Sequence, residues 1–454
     1  STYNTTFPAI APYWGLSTIF ASSLSFMQPD GTLVSNFPML PKAIHDEMGA
    51  TFDDYGRMSA KLGLEVPFVN AAIQNFILQN YVDPPTELVK PGEYQIWKIT
   101  HNGVDTHPIH FHLFEVQLIN RVGWDGFIRL PDPNELGWKD TIRIAPLEDT
   151  IVALRPAPAT VPFALPNSIR PLNPMAPLGS MMGFSQIDIA DGADMVPPMM
   201  NELTNFGAEF VWHCHILSHE ENDMMRSIAL AVAPDAPSNL SAAGLGDPLR
   251  VSLTWTDNSV NETDWTVQRA TEATGPWTTA ALTPSATGPG TGAAVTYEDA
   301  TVEPDTTYYY RVLASNVVGS PVTNYPTETA DSAPTNVVTV GPPAAAPSIE
   351  SAGQPDPANN APVVLNWTDN SPNVPNPPNF NAETGFTVQR STNGGGTWTT
   401  IATLPANGGT GAMTFTNATN GRNSVRRRTT YTYRILANNV FGSSTSSTVT
   451  ITTR

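Results

Sequence analysis

Apolar and polar residues alternate with a period of two along much of the first half of the chain. The alternation is clear at Glu93–Ile99, it is strong at Phe111–Val122, and it appears twice within Thr141–Leu154. Because successive side chains of a strand point to opposite faces, this spacing predicts strands across residues 92–232. One helix is predicted, at Asn70–Asn80, within an otherwise irregular stretch that we treat as an N-terminal extension, residues 1–84.

The second half of the chain contains an internal repeat. Three segments of a first copy return in a second: Leu253–Ser259 as Leu365–Ser371, Trp265–Ala270 as Phe386–Ser391, and Thr306–Ser320 as Thr429–Ser443. Each copy consists of alternating segments between Gly, Pro and Asn turns, and its length of roughly 105–115 residues is that of a small β-sandwich. The repeat therefore predicts two tandem sandwich domains.

These repeats resemble fibronectin type III domains. The residues that carry the resemblance are an early tryptophan, a tyrosine at the corner position and an asparagine in the stretch after it: Trp255, Tyr308 and Asn316 in the first copy, and Trp367, Tyr431 and Asn439 in the second. The resemblance places the two domains at residues 236–340 and 342–454. They contain no histidine or cysteine, so we expect a spacer or adhesion role there.

Composition agrees with short strands and excludes one class of partner. Pro (43) and Gly (32) are plentiful and charged residues make up 14%, which favours strands and turns over long helices. The formal charge of −19, with no basic stripe to offset it, argues against nucleic acid as a partner. A single cysteine, Cys214, excludes an intrachain disulfide framework. No apolar run is long enough to cross a membrane.

Six of the eight histidines fall into two short clusters. The first cluster is THPIHFHLF, with His107, His110 and His112. The second is WHCHILSHEENDMM, with His213, Cys214, His215, His219 and Met224. On a strand, residues two apart share a face, so the paired histidines of each cluster project together and Cys214 points the other way. Two imidazoles, one thiolate and a weak thioether are the ligands of a blue-copper site.

Less specific interpretations of these clusters are possible in principle. A lone buried histidine is usually structural, and a lone buried cysteine is usually inert packing. A single tetrahedral zinc ion needs only four ligands, fewer than the seven clustered His and Cys residues. The joint occurrence of HxxHxH and HCHxxxHxxxxM, using the only cysteine of the chain, favours a copper site over both.

The two clusters resemble the third and fourth copper-binding segments of multicopper oxidases, over about residues 85–232. The resemblance implies a cupredoxin domain with a Pro- and Met-rich excursion at residues 155–201. It also implies the role of each ligand. The type 1 copper would be held by His107, Cys214, His219 and axial Met224, the type 2 copper by His110, and the type 3 pair by His112, His213 and His215. In this arrangement His107, Cys214 and His219 form the centre that accepts substrate electrons.

The resemblance is incomplete in one respect. The trinuclear, oxygen-reducing cluster of this family uses eight histidines from four HxH segments, and this chain offers four of them. The two remaining histidines, His45 and His101, are isolated. We therefore expect an N-terminal fragment or a partner subunit to supply the other segments. The alternative is a type 1 copper protein that transfers electrons, or acts at the cell surface, without reducing oxygen.

The resemblance implies that substrate electrons enter through one exposed histidine of the type 1 site, so the reducing substrate is predicted from the acids near the type 1 ligands. These are Glu220, Glu221, Asp223 and Asp105, and carboxylates suit hard ions such as Mn²⁺ or Fe²⁺. The segment Gly49–Pro67 and the fibronectin-like tail are also similar to large bacterial multicopper oxidases linked to manganese oxidation. We therefore expect a metal ion rather than a phenol as substrate, with oxygen as acceptor and a secreted, periplasmic or cell-surface location. The fold class predicted is all-β: a cupredoxin-like Greek-key sandwich followed by two fibronectin type III-like sandwiches.

Overall fold

A computed structural model of the chain describes most of its residues. These are residues 16–18, 21–28, 30–46, 60–66, 76–158, 160–182, 188–190, 192–245, 249–285, 290–303, 306–320, 325–341, 344–356, 361–371, 383–421 and 423–454. Nearly all regular structure in these ranges is β, which confirms the predicted all-β class. No helix in these ranges is long and apolar enough to cross a bilayer.

The elements of the first part of the chain are β1 (Ser23–Met27), β2 (Leu33–Asp46), β3 (Ala60–Glu65), β4 (Phe76–Leu78), β5 (Glu87–Val89), β6 (Gln95–His101), β7 (His107–Phe111), β8 (Phe114–Gly123), β9 (Ile128–Arg129), β10 (Thr141–Ile144), β11 (Glu148–Pro156), β12 (Ile169–Pro171), β13 (Leu203–Asn205), β14 (Ala208–Cys214), α1 (Leu217–Glu220) and β15 (Met225–Leu230).

The later elements are β16 (Ser238–Leu245), β17 (Arg250–Thr256), β18 (Asp264–Ala270), β19 (Thr278–Pro284), β20 (Ala294–Asp299), β21 (Tyr308–Gly319), β22 (Thr327–Asp331), β23 (Val338–Val340), β24 (Ser348–Gly353), β25 (Val363–Asp369), β26 (Gly385–Ser391), β27 (Thr399–Pro405), β28 (Gly411–Asn417), β29 (Thr430–Asn439), β30 (Gly442–Thr445) and β31 (Val449–Thr452).

The chain divides into two compact units. Unit 1 comprises Ser1–Pro234 with Val260–Thr263 and Ser315–Asp331, and unit 2 comprises the remaining segments between Asp235 and Arg454. In unit 1, one sheet has the strand order β4-β3-β2-β6-β11-β8-β9, with β1 paired to β2, and a second sheet has the order β10-β7-β14-β15-β5. Strands β1–β4, which precede residue 85, thus belong to the larger sheet of this sandwich.

The core of unit 1 lies between its two sheets and is rich in aromatic residues. Trp97 of β6 is fully buried, and its ring centroid lies 5.3 Å from that of Trp212 on β14 and 5.9 Å from that of Phe111 on β7. Edge-to-face contacts of this kind add to the free energy gained by burying the rings. The core therefore fixes β7 and β14, the two strands that carry the histidine clusters.

The predicted helix at Asn70–Asn80 is wrong where it can be compared with the structure. Phe76–Leu78 forms strand β4, which pairs with β3 so that Gly63 lies opposite Leu78. A Cβ on Gly63 would lie 1.9 Å from the carbonyl oxygen of Ile77, so the glycine permits this close strand contact. Sheet pairing has overridden the local pattern. Residues 70–75 of the predicted helix, and most of the Gly49–Pro67 segment, lie outside the described residues.

Unit 2 contains two sandwiches built on the repeat. In the first, β16-β17-β20 form one sheet, and β18, β19 and β23 join the first residues of β21 in another. In the second, β24-β25-β28 pack against β27-β26-β29-β30, with β31 paired to β29. Each pair of sheets encloses its own apolar core, which includes Trp255 in the first and Trp367 in the second. The predicted tandem sandwiches are therefore present in the fold.

Both sandwiches contain the same buried polar contact, but its acceptor is a charged aspartate in the first and a neutral asparagine in the second. In the first sandwich, Tyr310 Oη donates to Asp299 Oδ2 at 2.8 Å, and Arg269 donates to the same oxygen at 2.7 Å. In the second, Tyr433 and Arg390 donate to Asn417 at 3.0 and 2.9 Å. The second sandwich thus holds the same arrangement with a neutral acceptor.

We expect Asp299→Asn to reduce the free energy of unfolding of the first sandwich by about 1–3 kcal/mol at neutral pH, because hydrogen bonds to a charged acceptor are the stronger ones. Burial alone raises the pKa of Asp299, but hydrogen bonds from Thr301 and Tyr310 and the charge of Arg269 lower it overall. The stabilisation is therefore present above the ordinary carboxyl pKa and is lost as pH falls through the lowered value. Urea unfolding at pH 7 and pH 3 measures this.

The reciprocal variant Asn417→Asp is the matched control. It should give the second sandwich the same dependence of stability on pH. If the stability of Asp299→Asn still depends on pH as that of the parent chain does, the Asp299 carboxylate is not the source of that dependence.

Candidate metal centre

Two paired strands, β7 and β14, position both histidine clusters. His213 lies opposite His110 and Cys214 lies opposite Ile109. Residues directly opposite each other in an antiparallel pair project to the same face, so Cys214 shares the core face with Ile109 and with His107, two residues earlier. His110 and His213 project to the other face. One pair of strands therefore carries two separate groups of ligands.

The core-face group has the composition and the spacing of a metal site. His107 Nδ1 lies 3.1 Å from Cys214 Sγ, and His219 Nδ1 lies 3.7 Å from the same sulfur. The three side chains are buried, and their ligand atoms lie within 4.8 Å of one another. A tetrahedral ion with bonds of ~2.0 Å to nitrogen and ~2.3 Å to sulfur would separate the two ligands by roughly 3.6 Å. The group fits one ion.

A short turn brings the last two ligands back to Cys214. Helix α1 follows β14 directly and contains His219, whose N–H donates to the carbonyl oxygen of Ile216. The Met224 N–H donates to the His219 carbonyl oxygen at 3.0 Å, and the Cys214 N–H donates to the Met224 carbonyl oxygen at 3.2 Å. Met224 is fully buried in the same core. These bonds hold Cys214, His219 and Met224 together although ten residues separate the first from the last.

Burial sets the protonation of the core-face ligands. It raises the pKa of the Cys214 thiol to about 11. Burial, together with the neighbouring His101, lowers the pKa of His107 to about 4. At neutral pH the imidazole is therefore already in the neutral form that a metal requires, whereas binding to the thiolate must release one proton.

The outer-face group consists of four imidazoles. The His110 ring centroid lies 4.9 Å from that of His112, 5.5 Å from that of His213 and 5.4 Å from that of His215. His110 Nδ1 lies 3.0 Å from the carbonyl oxygen of Asp140, a contact that directs Nε2 away from the strand. His112 and His215 are exposed. The outer-face group thus presents several ring nitrogens towards solvent at one place.

The four acidic residues that were predicted to bind the substrate do not form one cluster. Glu220 lies beside the outer-face group, with Oε2 3.7 Å from His213 Nδ1 and 3.6 Å from His215 Nδ1. Glu221 is exposed, and Asp223 is partly buried with a φ of 61° just before Met224. Asp105 differs from these, because it lies with Asp46 and His219 in a group whose ligand atoms are within 4.8 Å of one another.

The structure adds a residue that the sequence did not indicate, and it corrects one expectation. Asp46, at the end of β2, has Oδ2 3.3 Å from His107 Nε2. Nothing in the sequence marks Asp46, because it lies in neither cluster and is the last residue of an ordinary strand. The sequence also predicts one exposed histidine at the type 1 site, yet His107 is 0% and His219 is 4% exposed.

Comparison with known proteins agrees with the ligand pattern. Residues 69–165 match the family model of multicopper oxidases. A laccase of Bacillus subtilis (strain 168) is 29% identical over 157 residues, covering 32% of this chain and 21% of that protein. A laccase of Haloferax volcanii is 30% identical over 134 residues, covering 30% of this chain and 15% of that protein. A multicopper oxidase structure from Pediococcus acidilactici aligns at 19% identity with a TM-score of 0.22, over 43% of this chain and 27% of that one.

The matches are partial in length. The chain spans about a fifth or less of the two laccases that it matches. The family match begins before β5 and ends after β11, so it includes the first cluster, His107, His110 and His112. Residues 69–165 of this chain are thus similar to a multicopper oxidase domain, and the relatives match a third or less of the chain.

Proposed function

We propose that this chain supplies the type 1 copper site and half of the trinuclear cluster of an oxidase that reduces O₂ to water. The observation that carries the proposal is the placement of both ligand groups on one strand pair. Cys214 belongs to the core-face group, and its chain neighbours His213 and His215 belong to the outer-face group. An electron that reaches the Cys214 sulfur has a path of a few covalent bonds to either neighbour.

The role of each ligand follows from the group in which it lies. His107, Cys214 and His219 would hold the type 1 copper, with Met224 as axial ligand, while His110 would serve the type 2 copper and the type 3 pair would use His112, His213 and His215. Bound copper would supply one-electron oxidation of substrate and the four-electron reduction of O₂, which takes up four protons and gives two waters. The protein holds the ligands in place and keeps the type 1 site dry.

The missing cluster ligands are proposed to come from an N-terminal fragment or a partner subunit. Both remaining histidines are engaged elsewhere. His45 Nδ1 lies 3.1 Å from Asn102 Oδ1. The buried His101 directs Nε2–H to the Asp105 carbonyl oxygen at 2.7 Å, and its Nδ1 accepts the Gly103 N–H at 3.0 Å. The exposed His112 and His215 lie where further histidines from outside could complete the cluster.

The substrate we propose is a divalent metal ion such as Mn²⁺. The group of Asp46, Asp105 and His219 offers two carboxylates beside a type 1 ligand, and hard divalent ions bind carboxylate oxygen. Of the four acids predicted from the sequence, Asp105 is the one in this group. A phenol remains the competing substrate, since the two curated relatives above carry the name laccase.

In the assembled oxidase, we expect Asp105→Asn to raise KM for Mn²⁺ about tenfold, the loss of about 1.4 kcal/mol of binding free energy. A phenolic dye should show no change in KM, because it does not need the carboxylate. Steady-state kinetics with both substrates measure this. The control is Glu272→Gln, which removes the same single negative charge from an exposed acid in unit 2. An unchanged KM for Mn²⁺ would place the metal substrate elsewhere.

The second candidate is a type 1 copper protein that transfers electrons, or acts at a cell surface, without reducing oxygen. The observation that favours it is the complete core-face group beside only four of eight cluster histidines. Oxygen uptake decides between the two. The oxidase should consume one O₂ for four electrons taken from substrate. The electron-transfer protein should exchange electrons with no oxygen uptake in the assembled protein. In either case we propose a secreted, periplasmic or cell-surface location.

A further inference from the structure

We propose that Asp46 is a positioning residue for the type 1 site: its carboxylate fixes which nitrogen of His107 faces the metal and lowers the reduction potential of the bound copper. The inference rests on the type 1 assignment made above. It does not depend on the identity of the substrate. The relevant contact joins the last residue of β2 to the first residue of β7, two strands of different sheets.

The geometry assigns the two nitrogens of His107 to different partners. Nδ1 lies 3.1 Å from Cys214 Sγ, and Nε2 lies 3.3 Å from Asp46 Oδ2. Both side chains in the second contact are fully buried. A neutral imidazole carries one N–H, and a carboxylate beside Nε2 favours the proton there, which leaves the lone pair of Nδ1 free for the metal. Asp46 therefore selects the tautomer that binding requires.

The neighbouring loop is shaped around Asp46. The Asn102 N–H donates to the Ile44 carbonyl oxygen at 3.2 Å, which joins the end of β2 to the loop after β6. At Gly103, an added Cβ would lie 2.8 Å from the Cβ of Asp46 and 2.6 Å from Cε1 of His101. Only a glycine allows the loop to pack this closely against Asp46. The backbone and Cβ of Asp46 are thus held in place by the strand and by the loop that precedes His107.

The negative charge of Asp46 is the reason that we expect a lower reduction potential. Besides Cys214, the described groups near His107 include the Asp46 carboxylate, the neutral His101 ring at 4.9 Å and the His219 ring at 5.1 Å. A negative charge in a buried site stabilises Cu²⁺ more than Cu⁺, because the oxidised ion carries one more positive charge. Asp46 should therefore lower the potential of the type 1 copper.

The test compares Asp46→Asn with the parent chain, both as the full chain loaded with copper. Asparagine keeps the shape and removes the charge. We expect the potential, measured by redox titration of the sulfur-to-copper absorption band, to rise by about 59 mV, which is a tenfold shift of the one-electron equilibrium. Asp46→Glu, which keeps the charge, should stay closer to the parent. Asp125→Asn, an exposed acid of unit 1, should leave the potential unchanged.

The experiment distinguishes failure of the proposed role of Asp46 from failure of the type 1 assignment. Because the band arises only from chains with a formed type 1 site, the titration reports on folded protein even when the yield of a variant falls. A blue parent chain whose potential and electron paramagnetic resonance spectrum are the same with Asn, Glu or Asp at position 46 would overturn the role of Asp46 alone. A parent chain that shows no such band with copper would overturn the type 1 assignment, and the role of Asp46 with it.

Discussion

The variant Cys214→Ser should lose the sulfur-to-copper absorption band completely, and with it all oxidation of substrate by the assembled oxidase. Cys214 Sγ is the atom shared by both contacts of the core-face group, 3.1 Å from His107 Nδ1 and 3.7 Å from His219 Nδ1. A serine hydroxyl is a hard, neutral ligand and cannot replace a thiolate towards copper. Absorption spectroscopy of the copper-loaded chain and steady-state oxygen uptake measure the two losses.

Met224→Leu is the matched control, because it changes the other sulfur of the site. Leucine fills the same buried volume but offers no ligand, so the band should persist while the potential rises. An intense band that survives in Cys214→Ser would mean that the copper chromophore is not at Cys214. The proposed type 1 site would then be wrong.

The second large effect is on stability, at a buried ion group in unit 1. Lys42 Nζ lies 2.6 Å from Glu87 Oε1, and Arg226 lies 3.6 Å from Glu87 Oε2. All three side chains are almost completely buried. Removing the shared anion leaves Lys42 without its carboxylate partner in the core, while Arg226 keeps only its hydrogen bonds to backbone carbonyl oxygens, such as those of Asn80 and Pro84, and its interaction with Asp83. We expect Glu87→Ala to lower the free energy of unfolding by about 3–5 kcal/mol, as measured by urea unfolding followed through tryptophan fluorescence.

An exposed ion pair provides the comparison for Glu87→Ala. Asp132 and Arg143 are 62% and 55% exposed and lie 3.2 Å apart. Because exposed pairs contribute little, Asp132→Ala should cost less than about 1 kcal/mol. Equal losses in the two variants would show that burial of the Glu87 group does not matter for stability.

The strand pattern could be predicted because alternation reflects burial directly. The two strands expected within Thr141–Leu154 are β10 and β11, and Glu93–Ile99 overlaps β6. The expected single strand Phe111–Val122 is interrupted between β7 and β8, where Leu113 adopts a φ of 68°. No local signal indicates this break, since leucine rarely adopts a positive φ. It depends on the fold around it.

Only part of the candidate site could likewise be predicted from the sequence. Ligands close in sequence, such as His213 and Cys214, could be assigned to opposite faces because strand geometry decides their directions. Asp46 could not be found, because it meets His107 only through the packing of two sheets. The burial of both imidazoles of the core-face group likewise depends on tertiary structure. The sequence thus indicates the proposed metal ligands but not Asp46, which we propose to orient one of them.

We propose that this chain holds one complete type 1 site and half of a trinuclear cluster. Copper analysis of the isolated chain, combined with electron paramagnetic resonance, tests this composition. We expect one type 1 copper per chain and a total that stays below four until the missing HxH segments are supplied. A stoichiometry near four, with oxygen reduction by the isolated chain, would contradict it.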